Sequence, residues 1–182
     1  MNRPGLRRAL HAATALTVPL ALWVGWDTMR LALTLVGVPG AVAFEVLRLR
    51  TAFGPWLAQR LRVFRSSEAR RPSGAFWLLV GFAATSWCPH PAVAVGILAA
   101  ALADPVASAA GTRWGGAVGR KTAAGSLACW TAIAAIALGY GAGWVPALVV
   151  GAVGSALERW PGRLDDNLVL GPGVAVAFWV WV

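Results

Sequence analysis

Seven apolar segments, each near the length that crosses a bilayer, dominate this sequence: roughly 9–26, 28–47, 73–89, 91–110, 123–141, 143–158 and 167–182. A helix needs about 20 mostly apolar residues to span hydrocarbon. The chain is 58% hydrophobic and only 13% charged, whereas soluble domains carry about 25% charged residues. The blocks predict an all-α fold, a polytopic integral membrane protein with about seven transmembrane helices forming a single domain over residues 1–182. Proline and glycine mark tight turns at 26–28, 89–91 and 139–144. The basic, apolar N-terminus has no small-residue cleavage site after Trp26, so it reads as a retained first helix. Cys88 and Cys129 lie in apolar segments without metal-ligand spacing and read as small buried hydrophobes.

Charge then orients the helices. The 16 Lys and Arg residues against 7 Asp and Glu leave a net charge of +9. In a soluble protein such an excess points to nucleic acid; between apolar spans it points to topology, and no nucleic-acid partner is expected. With the N-terminus cytoplasmic and the C-terminus outside, every basic residue except Arg30 falls on the inner side, as the positive-inside rule requires. Arg30 stands near Asp27, where a local ion pair compensates it. Trp26, Trp87 and Trp144 fit the outer interfacial belt, and Trp56, Trp114 and Trp160 the inner one. The expected location is the cytoplasmic (inner) membrane. Residues 48–72 mix arginine with Phe, Trp, Leu and Val. They read either as a basic amphipathic segment on the inner leaflet or as plain topology anchoring.

This threading gathers the chemistry-bearing residues on the cytoplasmic face. Asp104 interrupts an apolar segment, where a charge costs roughly 2.5–3.5 kcal/mol on insertion scales. Pro105 follows it and is expected to kink or end the helix. Asp104 is therefore expected at the base of a pocket open to the cytoplasm, or paired to Arg113 or Lys121 to hold the loop. The run GTRWGGAVGRKTAAGS (111–126) supplies Gly111, Gly115 and Gly125, the cations Arg113, Arg120 and Lys121, and the helix start Thr122 with Ser126. It misses the Walker spacing G-x-x-x-x-G-K-[ST] by one residue. Glycines that let backbone approach a ligand, cations and a helix N-terminus still suit a polyphosphate. Downstream, Glu158 ends one apolar segment and Asp165-Asp166-Asn167 opens the next. Hard oxygen donors of this kind suit Mg²⁺; the alternative for the latter group is a helix cap. His11 lies near the cytoplasmic end of the first span. His90 falls on the outer face, away from these groups.

With these residues in place the chain resembles the CTP-dependent lipid-alcohol kinases: dolichol kinase, phytol kinase and fungal-type diacylglycerol kinase. Arg7, Arg8 and His11 are similar to that family's Arg-Lys-x-x-His element. Glu45 and Ser73-Gly74-Ala75 resemble its Glu and Ser-Gly-Ala passage. Ala103-Asp104 resembles Gly-Asp, and Gly111-Thr112-Arg113-Trp114-Gly115 resembles Gly-Arg-Arg-Phe-Gly. Lys121-Thr122-Ala123-Ala124-Gly125-Ser126 resembles Lys-Ser-x-x-Gly-Ser, and Glu158 with Asp165-Asp166-Asn167-Leu168 resembles the Glu…Asp-Asp-Asn-Leu ending. The resemblance runs over nearly the whole chain. It departs at Ala103, at Thr112 in place of an arginine, and at Ala124, where the family often has an acid.

The resemblance implies transfer of the terminal phosphoryl group of CTP, or another nucleoside triphosphate, to a lipid alcohol such as a polyprenol, a phytol-like isoprenoid or diacylglycerol. Gly111, Arg113, Gly115, Arg120, Lys121, Thr122, Gly125 and Ser126 would bind nucleotide. Asp104, Asp165 and Asp166 would hold Mg²⁺. Asp104, Asp166 and Glu158 would carry catalysis, with His11, Glu45 and Asn167 as accessory residues. The expected partners are membrane lipids, the lipid-alcohol substrate and the nucleotide. One alternative is a phosphatidate cytidylyltransferase making CDP-diacylglycerol, although the Gly-rich His-Gly-Gly passage of those enzymes is missing. A second is a small transporter with Asp104-Pro105 as its broken helix, although transporters favour midplane sites between repeats.

Overall fold

The computed structural model describes residues 4–61, 64, 66–115 and 121–182, and among them it contains helices and turns but no strand. The first run comprises α1 (Pro4–Ala13), a 3₁₀ turn (Thr14–Leu16) and α2 (Thr17–Val24). Gly25, with φ of 90°, turns the chain into α3 (Trp26–Leu31). A π-helical stretch (Ala32–Gly37) joins α3 to α4 (Val38–Arg50), making one continuous helical run. There follow α5 (Phe53–Leu61), a 3₁₀ turn (Ser66–Arg70), α6 (Gly74–Thr85), α7 (Ala92–Trp114), α8 (Ala123–Gly139), α9 (Trp144–Arg159) and α10 (Asp166–Trp181).

Helix covers each of the seven apolar segments. Two of the helical runs, Trp26–Arg50 and Ala92–Trp114, are long and apolar enough to cross a membrane by length and composition. α6, α8 and α10 are apolar but shorter.

The core explains the small-residue composition of the second half. α7, α8, α9 and α10 close a ring in which each helix packs on the next and α10 returns to α7. α6 packs on α10, and α1 packs on α7. Alanine, valine and glycine line α7, and most of its length is buried. Close approach needs these residues: a Cβ on Gly96 would fall 2.5 Å from the Gly171 carbonyl oxygen of α10. Small residues are what let helix backbones approach this closely. The run from Trp26 to Arg50 is the opposite case. It is mostly exposed, and Leu31, Leu35, Val36, Val42, Val46 and Leu47 face outward.

Pro105 neither ends nor interrupts α7, contrary to the reading from sequence. Proline removes one backbone donor, but Ala101, Ala103, Pro105 and Ala107 are all buried against neighbouring helices. That packing holds the helix through the lost bond.

One end of the bundle carries three capped helix starts. Ser73 Oγ accepts from Phe76 N at 3.2 Å for α6, Thr122 Oγ1 from Gly125 N at 3.0 Å for α8, and Asp165 Oδ1 from Asn167 N at 3.0 Å for α10. Such caps satisfy N–H groups that the first helical turn leaves without partners. The C-terminal turns of α7 and α9 reach the same end, because α7–α8 and α9–α10 are antiparallel hairpins.

Candidate functional site

Three helices and the residues just before α8 deliver charge to this capped end. Asp104 projects from α7, Glu158 from the last turn of α9 and Asp166 from the first turn of α10. One carboxylate oxygen from each lies within 4.8 Å of the other two. Glu158 is buried, and Asp104 and Asp166 are half-buried. Lys121, just before α8, hydrogen-bonds Asp166 Oδ2 at 2.7 Å and pairs with Glu158 Oε1. Burial pushes the Lys121 ammonium toward its neutral form, but the charges and hydrogen bonds of Asp166 and Glu158 outweigh this and hold its pKa above the ordinary lysine value.

The donor set fits a divalent cation. Three carboxylates this close repel one another, and among the described residues Lys121 brings one ammonium to them. Hard carboxylate oxygens converging at a partly exposed point could hold a metal ion. Asp165 is used differently from its neighbour. Its Oδ1 accepts from both the backbone and the side-chain nitrogen of Asn167, at 3.0 and 2.8 Å, and so starts α10. The acids that converge are Asp104, Glu158 and Asp166, with Glu158 where the sequence reading had placed Asp165.

His11 reaches the same cluster from α1. Its Nε2 lies 3.0 Å from the Ala100 carbonyl oxygen, which can only accept, so this nitrogen carries a proton. Its Nδ1 then faces Asp104 Oδ2 at 3.6 Å. Arg8, one turn earlier, donates to Ser108 Oγ at 3.1 Å and Thr112 Oγ1 at 3.2 Å. The first helix is thereby clamped along α7 beside Asp104.

The glycine-rich run has a packing role. A Cβ on Gly111 would sit 2.9 Å from Thr122 Oγ1, and one on Gly115 would sit 2.6 Å from Thr122 Cγ2. A Cβ on Gly125 would press the Ala107 carbonyl oxygen at 2.9 Å. These glycines let the end of α7 and the start of α8 close on each other, which sets Lys121 over the acids. Ser126 is tied to α9: its carbonyl accepts from Ser155 Oγ at 2.8 Å and its hydroxyl from Arg159 at 3.0 Å. Arg113 stays exposed on the last turn of α7, its guanidinium 5.8 Å from the Trp114 ring centre. Among the described residues it forms no ion pair with the cluster. Arg120 lies outside the described residues.

Glu45 belongs to a second buried polar group. Arg48 donates to Glu45 Oε2 at 3.0 and 2.6 Å and to the carbonyls of Glu68 and Arg71 at 2.8 and 2.6 Å. Glu45 Oε1 accepts from Ser73 Oγ at 2.6 Å, and Glu68 Oε1 accepts from Gly74 N at 2.9 Å. This bracket fastens the end of α4 and the 66–73 segment to the start of α6. Reading Arg48 as one of many surface cations missed it. The available signal was the i, i+3 spacing of Glu45 and Arg48 inside an apolar helix.

Comparison with known proteins found no matching family model, no matching curated protein and no matching solved structure.

Proposed function

We propose that this chain is an integral membrane phosphotransferase that moves the terminal phosphoryl group of a nucleoside triphosphate, CTP by resemblance, to a lipid alcohol. The observation that carries the reading is the convergence of Asp104, Glu158 and Asp166 with Lys121 at one end of the helical ring. On this reading the seven helical segments are membrane spans, the N-terminus is cytoplasmic, and the site opens to the cytoplasm of the inner membrane. Nucleotide and Mg²⁺ are both available there.

Phosphoryl transfer is mostly positioning and charge neutralisation. Asp104, Glu158 and Asp166 would hold Mg²⁺, which when bound neutralises phosphate charge. Lys121, on a flexible stem between two acids, is placed to give its charge to phosphate oxygens instead. The Thr122 cap and the close α7–α8 contact fix where that stem begins. Asp104 takes the proton of the lipid hydroxyl as its oxygen bonds to the γ-phosphorus and the bond to the leaving nucleoside diphosphate breaks. His11, anchored on the Ala100 carbonyl, lines one side of Asp104.

The test is to incubate the purified protein with γ-labelled CTP, Mg²⁺ and a panel of lipid alcohols. Labelled lipid is expected, and Asp104→Asn should lower kcat by about 10²-fold or more, the scale of a lost proton acceptor. No labelled lipid from any alcohol would overturn the kinase reading. Label entering phosphatidate from α-labelled CTP would establish the cytidylyltransferase instead.

A further inference from the structure

α5 is a helix that its own chain hardly covers. It runs from Phe53 to Leu61, nine residues, and a lone helix shorter than about 12–15 residues is marginal in water. Packing against a neighbour is what normally sustains one. Yet only Gly54 is buried and only Leu57 half-buried; every other residue of α5 is exposed. The seat at Gly54 is tight. A Cβ there would fall 1.9 Å from the Arg48 carbonyl oxygen, so only glycine fits the corner that sets the direction in which α5 leaves α4.

What α5 exposes is ordered. Phe53, Trp56 and Arg60 stand at i, i+3 and i+7, along one helical face. Phe53 stacks on Trp56 with ring centres 5.9 Å apart and meets Phe44 of α4 edge-on at 6.1 Å. All three rings are exposed, Trp56 by 58%. Phe44 belongs to the apolar face that the Trp26–Arg50 run turns outward, so the aromatic row carries that face around the corner onto α5. Cations frame the row. Arg50 and Arg60 are exposed. So are Arg70 and Arg71, which Arg48 draws to the end of α4 by holding the carbonyls of Glu68 and Arg71. None of these four arginines forms an ion pair among the described residues. The nearby acids are buried and engaged elsewhere, Glu45 with Arg48 and Glu68 with Gly74 N.

We propose that α5 lies along the inner leaflet as an interfacial anchor and binds the headgroups of anionic phospholipids; the assignment rests on the membrane reading above. An aromatic stripe flanked by arginines is what a helix lying in the headgroup layer presents. The rings enter the acyl boundary and supply the apolar partner that α5 lacks within the chain. Arg60, inside the stripe, lays its apolar stem along them and lifts its guanidinium to the phosphates. Arg50, Arg70 and Arg71 add charge at the same level, which favours negative headgroups over zwitterionic ones. Topology anchoring, the other reading of this arginine-rich segment, needs the charges but neither the stripe nor the helix.

The experiment uses the full chain lacking Cys88 and Cys129, in nanodiscs, with bimane on one introduced cysteine and a small fraction of nitroxide-bearing lipid as quencher. Bimane at Trp56→Cys, on the stripe, should be quenched strongly, and at Ala58→Cys, off the stripe, weakly. Moving the nitroxide from phosphatidylcholine to phosphatidylglycerol should raise quenching at Trp56→Cys about fivefold or more, the weight of a single basic residue at the surface. Arg50→Gln combined with Arg60→Gln should remove most of that preference. Equal quenching by the two lipids, or a preference that ignores the arginine substitutions, overturns the headgroup assignment. Weak quenching at both positions, with strong quenching at Leu35→Cys on the exposed face of the Trp26–Arg50 run, overturns the anchor and leaves the membrane reading standing. Weak quenching at Leu35→Cys as well overturns both.

Discussion

Lys121 carries two obligations, and each has its own measurement. Its ammonium balances buried Glu158 and half-buried Asp166, so Lys121→Met leaves acids facing acids. The variant should melt at lower temperature than the wild type in EDTA, and millimolar Mg²⁺ should restore much of the difference, as read by tryptophan fluorescence. Recovery is expected because a cation that binds only the folded state stabilises it by mass action. The pH dependence follows from the raised pKa of Lys121. The folded state holds the proton more tightly than the unfolded chain, so this contribution is complete below the ordinary value of 10.5 and fades as pH rises through the higher folded value. The wild type should therefore lose melting temperature above pH 10.5, and Lys121→Met should lose less over the same interval. The acids and the lysine were legible in sequence because ionisable residues are rare in such apolar surroundings. Which acids meet was not legible. Asp165 and Asp166 are adjacent, and only the turn of α10 decides that one caps and the other joins the cluster.

At the scale of elements, the Glu45–Arg48 bracket ties α4 to the start of α6, and the α7–α10 contact sets the helices that carry Asp104 and Asp166. Breaking a buried ion pair by removing one partner typically costs 3–5 kcal/mol. Glu45→Gln should approach that range in a denaturant titration, because Arg48 stays buried without its carboxylate. Arg48→Lys should not rescue the bracket, since one ammonium cannot reproduce the planar fork that serves Glu45 and two carbonyls. Gly96→Ala should cost about 1–3 kcal/mol by overpacking and should lower activity as well, because it separates the helices that carry Asp104 and Asp166. Helix identity was readable from apolar block length. The persistence of α7 through Pro105 was not, because the burial that overrides a proline comes from partners distant in sequence.

Across the whole molecule, the charge asymmetry predicts an orientation that cysteine labelling checks directly. In a variant lacking Cys88 and Cys129, a cysteine replacing exposed Leu164 should react with an impermeant maleimide only after the membrane is opened. One replacing Gly141, in the α8–α9 turn, should react in intact cells. The reverse pattern would place the acid cluster on the wrong face for nucleotide. The glycines at 111 and 115, read from sequence as part of a cradle for phosphate, also let Thr122 seat against α7, a contact that sequence spacing did not reveal.

The closure of the ring by α10 also fixes an order of events during synthesis. Chains emerge from the ribosome N-terminus first, so α7, α8 and α9 enter their surroundings before α10 exists. Asp104, Lys121 and Glu158 are present by then, but Asp166 and Asn167 arrive only with the final member of the ring. A nascent chain stalled before α10 therefore lacks one of the three converging acids. On the phosphotransferase reading, activity would report on finished assembly.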